Sequence, residues 1–221
     1  MYKACIFDLD GTLTDTLDSL VLSVNETLKE MGLTPITREQ CRMFVGSGSR
    51  VLLDKALRVS GDEKALRIEE AMEVYDRIFS VKCTYNVVPY HGITELLSAL
   101  KEMGMKLAVL SNKPDGQAVN VVESIFGKDT FDWIQGQREG VPKKPDPAAA
   151  LAIAKAFDAE PSEVFYVGDS DVDIATGMAA KMKTIGVSWG FRDRDVLLRA
   201  GAENIVDTPF ELIDLTKELL K

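Results

Sequence analysis

The sequence predicts an α/β protein, a doubly wound (Rossmann-like) parallel sheet core with an inserted α-helical cap. Three observations carry that prediction. Apolar strand-like runs alternate with helical periods after about residue 86, the pattern of strand-helix-strand crossovers in a parallel sheet. The first run, residues 3–7 (KACIF), shows no helical period, as expected of a strand buried on both faces. About 90 residues with no convincing strand then separate it from the second, far more than one crossover helix needs.

Taken in order, the expected strands are 3–7, 106–111, 131–135, 163–168, 184–188 and 204–206. Helical patterns at 93–103, 115–126, 147–157, 171–181, 193–200 and 209–220 fall between and after them, and each crossover should be right-handed. Within the long intervening segment, Leu17, Leu20, Val21, Val24, Leu28 and Met31 recur at helical spacing, as do Ile68, Met72, Tyr75 and Phe79. "GLTPIT" and "SGD" punctuate these runs. Residues 16–84 therefore read as a cap of about four helices on a core of residues 1–15 and 85–221, hinged near Thr14 and Asn86. Moving caps exclude water and select substrate.

Composition narrows the chemistry. The chain of 221 residues has a net charge of -9, which argues against a nucleic-acid binder, because phosphate backbones are held by clustered Lys and Arg. Cys5, Cys41 and Cys83 are odd in number and widely spaced, so neither a disulfide framework nor a zinc knuckle is indicated and a reducing cytoplasm is expected. The start MYKACIF lacks the features of a signal peptide, and no apolar run is long enough for a membrane span. His91 is the one histidine; with no evident catalytic partner it reads as a loop residue, and chemistry built on histidine is disfavoured. A monomer is expected on size, with a dimer as the alternative if an apolar cap face is exposed.

The chemistry then rests on carboxylates. "CIFDLDGTLTDT" runs a buried strand into Asp8 and Asp10, which strand alternation would place on one side, about 7 Å apart or less. Ser111 and Asn112 end the second strand, "KKPDP" brings Lys144 ahead of a helix, and "GDSDVD" supplies Asp169 and Asp173 four residues apart at a helix start. All lie at strand carboxyl ends, where open α/β sheets bind ligands. One reading uses every part: Asp8 attacks phosphorus, Asp10 protonates the leaving oxygen and later activates water, and Lys144 and Ser111 hold the phosphoryl oxygens. A magnesium ion would sit among Asp8, Asp10 and Asp169, with a backbone carbonyl among its ligands. The bland readings are a strand-stopping turn at Asp8 and Asp10, an exposed helix residue at Asp173 and a solvated Lys143.

"DLDGTLTDT", the Ser111 strand end, "KKPDP" and "GDSDVD" resemble, in order and spacing, the four motifs of the haloacid dehalogenase superfamily, and the helical insert resembles the cap of its phosphoglycolate phosphatase-like branch. The resemblance implies a nucleophile at Asp8, acid/base at Asp10, phosphate contacts at Gly11, Thr12, Ser111 and Asn112, a charge-stabilising Lys144, a metal ligand at Asp169 and outer-shell partners at Ser170 and Asp173. Family dehalogenases and phosphonate hydrolases lack the second aspartate, so Asp10 argues against both. Gly168 before Asp169, where the branch's mutases usually carry glutamate, favours hydrolysis. "VGSGSR" (45–50) resembles a cap loop of the phosphoglycolate phosphatases, with Gly48 near substrate and Arg50 either available for a carboxylate or a surface arginine on a cap helix. "GVSWGFR" (186–192) resembles a core segment of the same branch, as packing under the cap or as binding surface. A small phosphorylated metabolite is the expected partner. Phosphoglycolate leads, pyrophosphate and small phosphosugars or nucleotides remain alternatives, and a phospholigand-binding module with little turnover is the reading from another class.

Overall fold

The computed structural model describes residues 2–220. Strand β1 (Ala4–Phe7) leads through the two-residue β2 (Thr14–Asp15) into helices α1 (Leu17–Glu30), α2 (Arg38–Phe44), α3 (Ser49–Ser60) and α4 (Ile68–Lys82), and the chain returns through β3 (Val88–Pro89). Then follow α5 (Ile93–Glu102), β4 (Lys106–Pro114), α6 (Asp115–Phe126), β5 (Trp133–Gln137), α7 (Ala148–Ala156), β6 (Val164–Gly168), α8 (Asp171–Ala179), β7 (Lys183–Val187), α9 (Arg194–Arg199), β8 (Ile205–Val206) and α10 (Pro209–Leu219). Six strands form one parallel sheet in the order β5-β4-β1-β6-β7-β8. The expected α/β fold is the observed one.

β1 is central and buried along its whole length. Its period-2 alternation divides the core between the sheet faces: Cys5 and Phe7 pack in one cluster, and Ala4 and Ile6 pack in the other with Ala150 and Ile153 of α7. Phe7 is level with both Val109 of β4 and Val167 of β6. This register brings Asp8 and Asp169, each the first residue past its strand, and Ser111 of β4 to the same edge of the sheet.

Helices α1–α4, the segment expected to form the cap, bury most of the expected stripes, with Val21, Ile68 and Met72 only partly covered. Leu17, Leu20, Val24 and Leu28 form the inward row of α1, and Tyr75 and Phe79 stack on each other in α4. Buried hydroxyls of α1 are satisfied locally: the Ser23 hydroxyl donates to the Ser19 carbonyl and the Thr27 hydroxyl to the Ser23 carbonyl, one turn back in each case. Ser19 instead donates across to the Cys83 carbonyl, at the end of α4. Where the chain leaves and re-enters, β2 and β3 pair as an antiparallel ribbon, Thr14 with Pro89 and Asp15 with Val88. Two residues are too few to show a period, so the sequence indicates no strand there. The apolar run of the second expected strand also stops at Ser111, whereas β4 continues to Pro114 by pairing with Gln137 after a register shift.

Candidate active site

Three buried carboxylates meet at the ends of β1 and β6. One oxygen each from Asp8, Asp169 and Asp173 lies within 4.8 Å of the others. A single ammonium joins two of them: Lys144 Nζ donates to Asp8 Oδ1 and to Asp173 Oδ1, both at 2.7 Å. The other oxygen of Asp173 accepts from the Ser170 N–H at 3.2 Å and the Ser170 hydroxyl at 2.5 Å, as part of the capping box that starts α8. Asp173 is thus fully buried and occupied on both oxygens, and the exposed-helix reading does not apply to it. Asp169 sits before the helix, not on its first turn.

Asp169 is clamped from two sides. Its Oδ2 accepts the Phe191 N–H at 2.6 Å and its Oδ1 accepts the Thr12 hydroxyl at 3.3 Å. Gly11, at φ +91°, and Gly190 enclose the same carboxyl so closely that a Cβ at either would lie within 2.5 Å of Oδ2. Burial, then Asp173, lifts the Asp169 carboxyl to about 7, only partly offset by the Phe191 N–H. Asp8 is raised as well, by burial and Asp173 against the pull of Lys144. Burial lowers Lys144, but Asp173 and Asp8 outweigh it and hold the ammonium above its usual range. Three carboxylates around one ammonium leave uncompensated negative charge, and an all-oxygen donor set of this kind fits a hard divalent cation.

Asp10 belongs elsewhere. Its Oδ1 accepts from Lys113 Nζ at 2.9 Å, so its carboxylate is not part of the three-carboxylate cluster. The strand ends at Phe7, and a nested turn on the Leu9 carbonyl, which accepts the N–H groups of Thr12, Leu13 and Thr14, carries Asp10 instead of strand alternation. Asp8 and Asp10 nevertheless line one cavity of about 40 Å³ together with Ser111, Asn112, Lys113 and Asp169. The cap closes it with Leu20, Leu52, Tyr75 and Phe79, and Gly48 and Ser49 at the start of α3 complete the wall.

Four sequence expectations need correction. Gly11 donates its N–H to the Thr14 carbonyl at 2.9 Å, so that amide is not free for phosphate and the glycine makes room for Asp169. Thr12 is buried and directs its hydroxyl to Asp169. Asn112 donates to the carbonyls of Gly46 and Lys144 and accepts the Lys144 N–H; it spans cap and lysine loop, and its side chain has no donor left for phosphate. Arg50 pairs with Glu69 on the exposed side of the cap and does not line the cavity. Lys143 and His91 are exposed. Ser111 lines the cavity with its hydroxyl, which accepts the Lys113 N–H and keeps a donor free.

Lys113 lines the cavity beside Asp10 although no expected site residue lies there, and in "GVSWGFR" it is the Phe191 N–H and the Arg192 side chain that make the contacts. Strand alternation held a signal for Lys113, since it is two residues past Ser111 on an extended strand. Arg192 fastens core to cap: it donates to the Arg42 and Val45 carbonyls at 2.6 and 2.5 Å, and Arg42 donates in return to the Phe191 carbonyl.

Known proteins place this geometry in context. The model of the haloacid dehalogenase-like hydrolases matches residues 5–187. A phosphoglycolate phosphatase of Pseudomonas syringae pv. syringae is 32% identical over 99% of this chain and 82% of its own length. One from Aquifex aeolicus is 34% identical over 86% of each chain. The crystal structure of a provisionally named phosphoglycolate phosphatase from Lactobacillus delbrueckii subsp. bulgaricus superposes with a TM-score of 0.88 at 31% identity, covering 97% of this chain and 98% of that one.

Proposed function

The chain belongs to the haloacid dehalogenase-like hydrolases and is a phosphatase, and on that premise we propose that it hydrolyses 2-phosphoglycolate through an aspartyl phosphate on Asp8, with magnesium as its metal. The observation that carries this reading is the division of the carboxylates. Asp8 stands with Asp169, Asp173 and Lys144, while Asp10 stands apart on Lys113. A nucleophile in an electrostatically held cluster and a separately partnered acid are what two-step ester hydrolysis requires.

Asp8 and Asp169, with the Asp10 backbone carbonyl, would hold the metal. When bound it supplies Lewis-acid neutralisation of the phosphate and of the carboxylate that approaches it. Asp8 attacks phosphorus as the ester oxygen departs with a proton from Asp10. Asp10, now a carboxylate, takes a proton from the water that attacks phosphorus in the second step, which releases inorganic phosphate and restores Asp8. Lys144 aims Asp8 and adds positive charge beside the transferring group, Asp173 with Ser170 orients Lys144, and the Ser111 hydroxyl donates to a phosphoryl oxygen. Thr12, Gly11 and the Phe191 N–H fix Asp169. Leu20, Leu52, Tyr75 and Phe79 of the helical insert cover the cavity beside Asp8 and Asp10, where they would limit the access of water. Among the described residues no helix is long and apolar enough to cross a membrane, and a cytoplasmic monomer acting on a free metabolite is the setting we propose.

The test is phosphate release from 2-phosphoglycolate, pyrophosphate, sugar phosphates and nucleotides, with magnesium or chelator, for the wild type and Asp8→Asn. We expect 2-phosphoglycolate to lead in kcat/KM, chelator to abolish turnover, and Asp8→Asn to lower kcat by at least about 10³-fold. Low, even rates that still need Asp8 would retain the mechanism and remove the substrate. Substantial turnover by Asp8→Asn, or none by the wild type on any ester, would remove the mechanism.

A further inference from the structure

Of the residues lining the cavity, only Lys113 and Arg192 are cationic. Arg192 already donates to the carbonyls of Arg42, Met43 and Val45, and Lys144 lies with Asp8 and Asp173. Lys113 differs from both. Its side chain is 2% exposed, its Nζ is 2.9 Å from Asp10 Oδ1 and 4.7 Å from the ring centroid of Phe79. An ammonium has three donors, and among the described residues Asp10 is the one hydrogen-bond acceptor of this one. Leu20, Leu52, Tyr75 and Phe79 give the cavity an apolar side, where an anion pairs with a cation far more strongly than in water.

Position decides what that anion is. Asp10 is the acid for the leaving oxygen, so a cation in contact with Asp10 stands on the leaving-group side of the phosphate, away from Asp169. Whatever the ester oxygen carries meets Lys113 first. In 2-phosphoglycolate a single methylene separates that oxygen from a carboxylate, so an ammonium adjoining Asp10 is close enough to receive it.

We propose that Lys113 is a specificity-determining residue that binds the anionic group on the leaving-group side of the substrate. The proposal rests on the phosphate-ester reading for where the scissile phosphate lies. Its test does not depend on turnover. Binding of 3-phosphonopropionate, a non-hydrolysable isostere of 2-phosphoglycolate, and of 3-phosphonopropionamide, its uncharged counterpart, is measured by calorimetry with magnesium present.

The wild type should bind the acid about 100-fold more tightly than the amide. Lys113→Met should weaken the acid by a comparable factor and the amide by less than about threefold, because the carboxylate loses its partner and the amide never had one. Lys113→Arg should keep a preference for the acid. Equal affinity of the wild type for both ligands overturns the proposal with no variant needed. Equal weakening of both by Lys113→Met also overturns it, since damage that travels through Asp10 or the fold does not distinguish the ligands. Failure of the wild type to hydrolyse any phosphate ester would instead count against the mechanism, and is read from a different assay.

Discussion

Gly190 carries no functional group, yet the position of the metal ligand depends on it. A Cβ there would overlap the Gly11 carbonyl oxygen and lie 2.5 Å from Asp169 Oδ2, and neither neighbour is the free end of a flexible chain. Gly190→Ala should therefore displace Asp169, raising the magnesium concentration for half-maximal activity by about 10-fold or more, while the far-ultraviolet circular dichroism stays native. An unchanged metal requirement would mean that the clamp yields. Asp8 and Asp169 are legible in the sequence because their motifs fall at strand ends that a parallel sheet must align, and Lys144 because its motif stands just ahead of α7. The Phe191 N–H is a backbone donor, which residue types do not reveal, and the roles of Gly11 and Thr12 as supports for Asp169 appear only when their neighbours are known.

Among elements, α2 and the segment after β7 hold the cap to the core by exchanging guanidinium groups for carbonyls. The last turn of a helix leaves carbonyls without intrahelical partners, and Arg192 takes those of Arg42 and Val45 while Arg42 takes that of Phe191. A cation at a helix carboxyl end is also favoured by the macrodipole. Arg192→Gln removes charge and reach together, so hydrogen exchange at the amides of α2 should rise about tenfold or more while those of β1 and β6 are unchanged. Uniform protection in the variant would show that apolar contacts alone hold the cap shut. The helices themselves are readable because their stripes are long: α1 and α4 have three or four turns of apolar spacing. β2 and β3 are not, since a two-residue ribbon is defined by its partner and carries no pattern of its own.

For the whole molecule, the net charge of -9 coexists with an interior that gathers negative charge at one sheet edge, and stability should record that conflict. In the metal-free protein, burial and Asp173 raise Asp169 to about 7, and Asp8 is raised too, whereas in the unfolded chain such groups ionise near about pH 4. The folded state thus binds more protons than the unfolded state between these limits, so stability is greatest at the acid end and falls as pH rises through about 7. A divalent cation binds the ionised carboxylates and opposes that fall. In chelator, the melting temperature should drop from about pH 5 to about pH 8, and magnesium should raise it more at the higher pH, by about 2.7 kcal/mol of stability at a hundredfold excess over Kd. Asp169→Asn removes one of the crowded charges while its carbonyl oxygen can still accept the Phe191 N–H. In chelator at about pH 8 it should melt no lower than the wild type, and it should gain little from magnesium. A variant that is destabilised in chelator yet still stabilised by magnesium would place the charge conflict, and the ion that relieves it, somewhere other than Asp169.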